Sequence, residues 1–139
     1  MSTDHSPELK LSVLAKVPRS APAIARAEGL RDAAARVGFD WPNAEEVFAK
    51  VDEEVAELKG AKSVADQREE LGDLLFALIN LAHHLGFSAD DALQQANDKF
   101  TRRFQAIEAA CSARGLQPAQ LSLAELDALW DEVKLTEHE

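Results

Sequence analysis

Glycine recurs at positions 38, 60, 86 and 115, each time just behind a segment whose apolar residues return every three or four places. That is where a left-handed C-cap wants a residue without Cβ, so the four glycines predict four helix ends. The matching starts are also present. Asn43 with Glu46, Ser63 with Asp66, Ser88 with Asp91 and Ser122 with Glu125 each pair a capping side chain with an acid three residues later. No alternating strand pattern competes, and the expectation is all-α. The helices are placed at 21–37, 44–59, 64–85, 89–114 and 123–135, behind an irregular, proline-bearing lead. Connections this short predict an antiparallel helical bundle. The domain reading is a flexible lead over 1–16 and a single helical domain over 17–139, with no internal repeat.

Composition narrows the class. A chain of 139 residues, 46% apolar, is one domain's worth with enough apolar material for a core. Acidic residues outnumber basic ones 25 to 15, which argues against a nucleic acid partner, and any phosphate ligand would need a bridging cation. The single cysteine, Cys111, has no internal disulfide partner and reads as a small helix or core residue. No apolar run of about eighteen residues occurs, and "MSTDHSPELK" lacks the basic start and apolar stretch of a signal peptide. The expectation is a cytoplasmic protein with no membrane partner.

The acids within the amphipathic segments are the chemical signal. In "KVDEEVAELKG", Glu53, Glu54 and Glu57 fall within an arc of roughly 100° on one side of a helix. In "REELGDLLFALINL", Glu70 and Asp73 are again neighbours on one stripe. If the two helices fold back along each other, four or five carboxylates meet. Like charges that close are relieved by a raised pKa or by a cation, and hard oxygen donors without cysteine or a placed histidine suit Mg²⁺ or Mn²⁺. The alternative is that these acids are solvated helix faces, favoured near helix starts by the dipole; Glu45, Glu46 and Glu69 fit that account better.

The order E-E-x-x-E, twelve residues, E-x-x-D, made by Glu53, Glu54, Glu57, Glu70 and Asp73, resembles the signature of the all-α nucleoside triphosphate pyrophosphohydrolases, and within them the MazG family. The stretches "VPRSAPAIARAEGL", "AARVGFDWPN", "EELGDLLFALINLAHHLG", "ANDKFTRRF" and "LDALWDEVK" support it, from about residue 17 to 134. Many MazG proteins carry two such domains in tandem, whereas this sequence holds one.

The resemblance implies hydrolysis of a (deoxy)nucleoside triphosphate to the monophosphate and pyrophosphate, with Mg²⁺ as cofactor and Mn²⁺ as a substitute, in nucleotide-pool housekeeping. It implies Glu54, Glu57, Glu70 and Asp73 as metal ligands, and Glu53 as general base or supporting acid. It also implies Lys99, Arg103 and Trp130 at the substrate. From pattern alone, Lys99 and Arg103 read equally as surface cations, and Trp130 as core beside Leu126, Leu129 and Val133. Trp41 reads as packing its loop or lining a base pocket, with packing favoured. His83 and His84 suit a helix end without a catalytic role.

The stripe of Leu74, Leu75, Leu78, Ile79 and Leu81 is apolar over a wider arc than one neighbour covers, which predicts a homo-oligomer, first of all a dimer. Two other classes compete. A non-catalytic helical interaction module would gain no thermal stability from Mg²⁺, and a ferritin-like di-iron protein would need Glu-x-x-His where this chain has Glu-x-x-Asp.

Overall fold

The computed structural model of the chain describes residues 12–137. Among them are five α-helices: α1 (Ala23–Ala35), α2 (Ala44–Gly60), α3 (Val64–His84), α4 (Ala89–Ala113) and α5 (Leu123–Thr136). A short 3-10 turn, Pro118–Gln120, precedes α5, and no strand occurs among the described residues. The all-α expectation holds, and the boundaries fall within two residues of those read from the sequence. The 3-10 turn went unread. Residues 1–11 of the expected flexible lead lie outside the described residues; residues 13–17 form turns closed by Ala15 N–H to Ser12 O and Val17 N–H to Leu14 O.

Local chemistry explains the punctuation. Asn43, Ser63, Ser88 and Ser122 each accept a hydrogen bond from the backbone N–H three residues on, and at Ser122 the Glu125 side chain returns the bond. Gly38, Gly86 and Gly115 have φ of 92°, 87° and 71°. Each closes a Schellman-type end, with the following residue's N–H reaching back five positions, as Phe87 does to Ala82 O.

Gly60 departs from the expectation. It remains inside α2, and the helix ends at Ala61 in extended backbone, φ −66° and ψ 133°. The turn into α3 is therefore made by residues 61–63 without a left-handed residue.

The chain divides into two compact units, one ending at Asp91 and the other beginning at Ala92. In the first, α2 lies along α3 and α1 packs against α3. Val17 fixes the lead to α1, since a Cβ at Gly29 would meet Val17 Cγ1 at 3.2 Å. Glu28 ties α1 to the start of α4 by accepting from Ser88 Oγ and Ala89 N–H, both at 3.3 Å. Buried here are Ala33, Val47 and Ala77, together with two charged residues, Arg31 and Glu54.

In the second unit, Ile107, Cys111 and Leu129 form a core flanked by Leu116, Leu126, Trp130 and Val133. Cys111 is a core residue, one of the two readings its sequence position left open, the other being the helix surface. Much apolar surface stays exposed, including Leu71, Leu75 and Leu78 along one stripe of α3 and Phe100 on α4.

Candidate functional site

The i, i+3 spacing on α2 and the return of the chain through residues 61–63 bring three carboxylates together. One oxygen each of Glu54, Glu57 and Glu70 lies within 4.8 Å of the others. Glu54 is buried, Glu70 half-buried and Glu57 exposed, so the group lies at the edge of the α2–α3 seam. Glu54 Oε2 and Glu70 Oε2 are both buried with no hydrogen-bond partner. Buried oxygens left unpartnered are costly, and either a hard cation or a proton held between the carboxylates would satisfy them. The residues present therefore fit a divalent metal with oxygen ligation.

The electrostatics agree. Burial first, then a hydrogen bond with Glu57 and the charges of Glu57, Glu54 and Asp73, together push the Glu70 carboxyl from its ordinary 4.5 up to about 7. One proton shared between facing carboxylates is what a crowded acidic site does in the absence of a cation.

Asp73 thus acts on Glu70 electrostatically, although it is exposed and stands outside the three-carboxylate group. Glu53 also stands outside it, with its side chain largely in solvent. Sequence reasoning missed Lys50. Its Nζ is 2.9 Å from Glu54 Oε1 and 3.6 Å from Glu53 Oε2. The hydrogen bond to Glu54 holds the ammonium pKa above its ordinary value against the opposing effect of burial, with the charges of Glu54, Glu53 and Glu57 adding to it. The signal was available, because Lys50 stands one helical turn before Glu54.

The expected substrate residues belong to the second unit. Lys99 is exposed and lines an open depression with Gln95, Asp98 and Arg102. Arg103 is largely buried and bound by both oxygens of Glu137: its Nε lies 2.9 and 3.1 Å from them, and its Nη2 2.8 Å from Oε2. The guanidinium lies 5.3 Å from the centre of the Trp130 ring, which also meets Phe100 at 5.6 Å. Trp130 is therefore half-buried against the core while carrying Arg103 on one face, a cation–π contact.

A second polar network in the first unit had no counterpart in the sequence reading. Arg31 donates from Nε to Asn80 Oδ1 at 2.7 Å, from Nη1 to Asp32 at 2.8 Å and from Nη2 to Asp40 at 2.6 Å. His84 Nε2 is 2.9 Å from Asp40 Oδ1. Burial raises the Asp40 pKa, yet the hydrogen bonds from His84 and Arg31 and their charges outweigh it, and the net shift is downward. Arg31 stands 9 positions from Asp40 and 49 from Asn80 in sequence, separations that periodicity does not bridge.

Comparison with known proteins gives the arrangement a lineage. Residues 43–107 match the MazG nucleotide pyrophosphohydrolase domain, a span holding Glu53, Glu54, Glu57, Glu70, Asp73, Lys99 and Arg103. The nucleoside triphosphate pyrophosphohydrolase of Escherichia coli K12 is 45% identical over 131 residues, covering 91% of this chain and 50% of that protein. The nucleoside triphosphate pyrophosphohydrolase/pyrophosphatase MazG of Thermotoga maritima is 37% identical over 125 residues, 90% of this chain and 49% of that one. The chain thus spans about half the length of these curated relatives. A carboxylate seam with unpartnered oxygens, the matched domain and likeness over nine-tenths of the sequence agree: the chain belongs to the MazG nucleotide pyrophosphohydrolase family.

Proposed function

We propose that this chain hydrolyses (deoxy)nucleoside triphosphates between the α and β phosphates, giving the monophosphate and pyrophosphate, in a reaction that requires Mg²⁺ or Mn²⁺. The observation that carries the reading is the Glu54, Glu57 and Glu70 group with its two unpartnered buried oxygens, in a chain similar to named nucleoside triphosphate pyrophosphohydrolases. Glu54, Glu57, Glu70 and Asp73 are the residues that would hold the metal. Bound there, the cation supplies neutralisation of phosphate charge and a water of lowered pKa.

The chain's own residues do the remainder. Glu53, exposed beside the group, accepts the proton of the attacking water. Lys99 and Arg103 bind phosphate oxygens by charge-assisted hydrogen bonds, and Trp130 orients Arg103 through its ring face. The exposed apolar stripe Leu71, Leu75 and Leu78 supports a homodimer that buries it, within an antiparallel bundle. A role in nucleotide-pool housekeeping in the cytoplasm follows the same reading; no helix among the described residues is long and apolar enough to cross a membrane.

The test is chromatography of a reaction with a panel of triphosphates, with and without Mg²⁺. Monophosphate and pyrophosphate should appear only with metal, and Glu54→Gln should abolish them while circular dichroism stays helical. Diphosphate plus orthophosphate as first products, or undiminished turnover in Glu54→Gln at limiting metal, would overturn the reading.

A further inference from the structure

Arg103 of α4 and Glu137, the residue that caps α5, meet within the second unit. Both carboxylate oxygens accept from Arg103 Nε, at 2.9 and 3.1 Å, and Nη2 lies 2.8 Å from Oε2. Arg102 Nε approaches the same carboxylate at 3.9 Å. The Nε–Nη2 edge is the fork with which a guanidinium grips two oxygens of a carboxylate or of a phosphate. Glu137 therefore fills a seat shaped equally for a phosphate group.

The cap of α5 is a poor place for an acid. The end of a helix presents unpaired carbonyls and the negative pole of the dipole, which favour a cation such as Lys134 in the last turn. A carboxylate one step further is disfavoured locally, and its compensation comes from Arg103, 34 residues away in sequence. A local rule broken in favour of one distant contact marks that contact as functional.

The contact is also built to open. The side chains of Arg103 and Glu137 are 12% and 23% exposed, and an ion pair that water reaches contributes little by itself. A ligand with several negative charges can displace the carboxylate. The Trp130 ring, 5.3 Å from the guanidinium, holds Arg103 independently, so the cation keeps its place when Glu137 leaves. Arg102, its side chain 64% exposed, gives the displaced carboxylate a second cation to rest on.

We propose that Glu137 is a built-in competitor for the phosphate seat on Arg103, an inference that rests on the proposed role of Arg103 at the substrate. In the ligand-free chain the carboxylate occupies the guanidinium fork, and the triphosphate displaces it toward Arg102. Glu137 thereby sets the affinity for substrate without touching the bound substrate.

The test measures Kd for inorganic tripolyphosphate with Mg²⁺, and KM for a nucleoside triphosphate. The proteins are wild type, Glu137→Gln, Glu137→Ala, Arg103→Ala and the double variant Glu137→Gln with Arg103→Ala. Freeing the fork should lower both Kd and KM about two- to fivefold, the scale of one partly exposed ion pair given up. The gain should vanish in the Arg103→Ala background, where no seat remains to compete for. Unchanged or raised Kd and KM in both Glu137 variants would overturn the proposal, and a lowered Tm beside them would make the pair a clasp between α4 and α5. A gain that persists without Arg103 would also overturn it, because loss of a negative charge in general would then be the cause. So would tripolyphosphate binding by Arg103→Ala as tight as by wild type. Tripolyphosphate binding needs no turnover, so a wild type that hydrolyses no triphosphate would bring down the proposed function, while Kd still decides for or against the competitor.

Discussion

Raising the pH from 5 to 8 should tighten Mg²⁺ binding about a hundredfold, and Glu70 should account for most of that. Its folded pKa stands at about 7 in the metal-free chain, against an ordinary 4.5. A cation needs the carboxylate, so below 7 each binding event must expel one proton and apparent affinity rises about tenfold per pH unit; above 7 the dependence levels off. The same shift sets the sign of the metal-free stability curve. The raised pKa means that this group's contribution is fully present below 4.5, is lost between 4.5 and 7 as the unfolded state ionises first, and then stays flat. Saturating Mg²⁺ should cancel that decline. Calorimetric titration in two buffers of different ionisation enthalpy counts the protons directly: close to one released per metal at pH 6, about half at pH 7 and close to none at pH 8.5. Glu70→Gln cannot release this proton and should bind metal more weakly with little pH dependence. Proton release that is absent at pH 6, or equal in Glu70→Gln, would refute the reasoning.

Three further outcomes are expected. Arg103→Ala should lower kcat/KM roughly ten- to a hundredfold, the scale of removing one charge-assisted hydrogen bond, while Glu137→Gln, which loosens the carboxylate now clamped on Arg103, should lower KM; a higher KM in Glu137→Gln would show that Glu137 holds Arg103 in its working position. Leu129→Ala, which empties part of the buried cluster with Ile107 and Cys111, should cost about 2–5 kcal/mol in denaturant unfolding, and a cost below about 1 kcal/mol would mean that this core is not the seat of the second unit's stability.

Local features of this chain were legible and long-range ones were not. Asn43, Ser63, Ser88 and Ser122 announce helix starts because capping is a contact over three residues, and Gly38, Gly86 and Gly115 announce ends because their φ is positive. Gly60 misled for the same reason: glycine is tolerated inside a helix end as well as beyond it, and the sequence does not distinguish the two. The convergence of Glu54 and Glu57 with Glu70 was legible once helical spacing was joined to a short connection. The Arg31, Asp40, Asn80 and His84 network was not, since it joins α1, a loop and the far end of α3 through side chains whose spacing follows no period. His84 was read as a helix-end residue, and its position there is what lets it reach Asp40.

The ammonium of Lys50 beside Glu54 changes what occupation of the carboxylate seam means. The chain carries a tethered counter-ion of its own, so the acidic helices can fold and pack before any free cation arrives. A cation entering the seam would exchange with the proton on Glu70, beside a lysine that never diffuses away. Its affinity would then be a difference between two occupancies, the cation's and the proton's. The Lys50 charge stays on its helix turn throughout, one turn from Glu54, where it would face whatever anion such an ion brings with it.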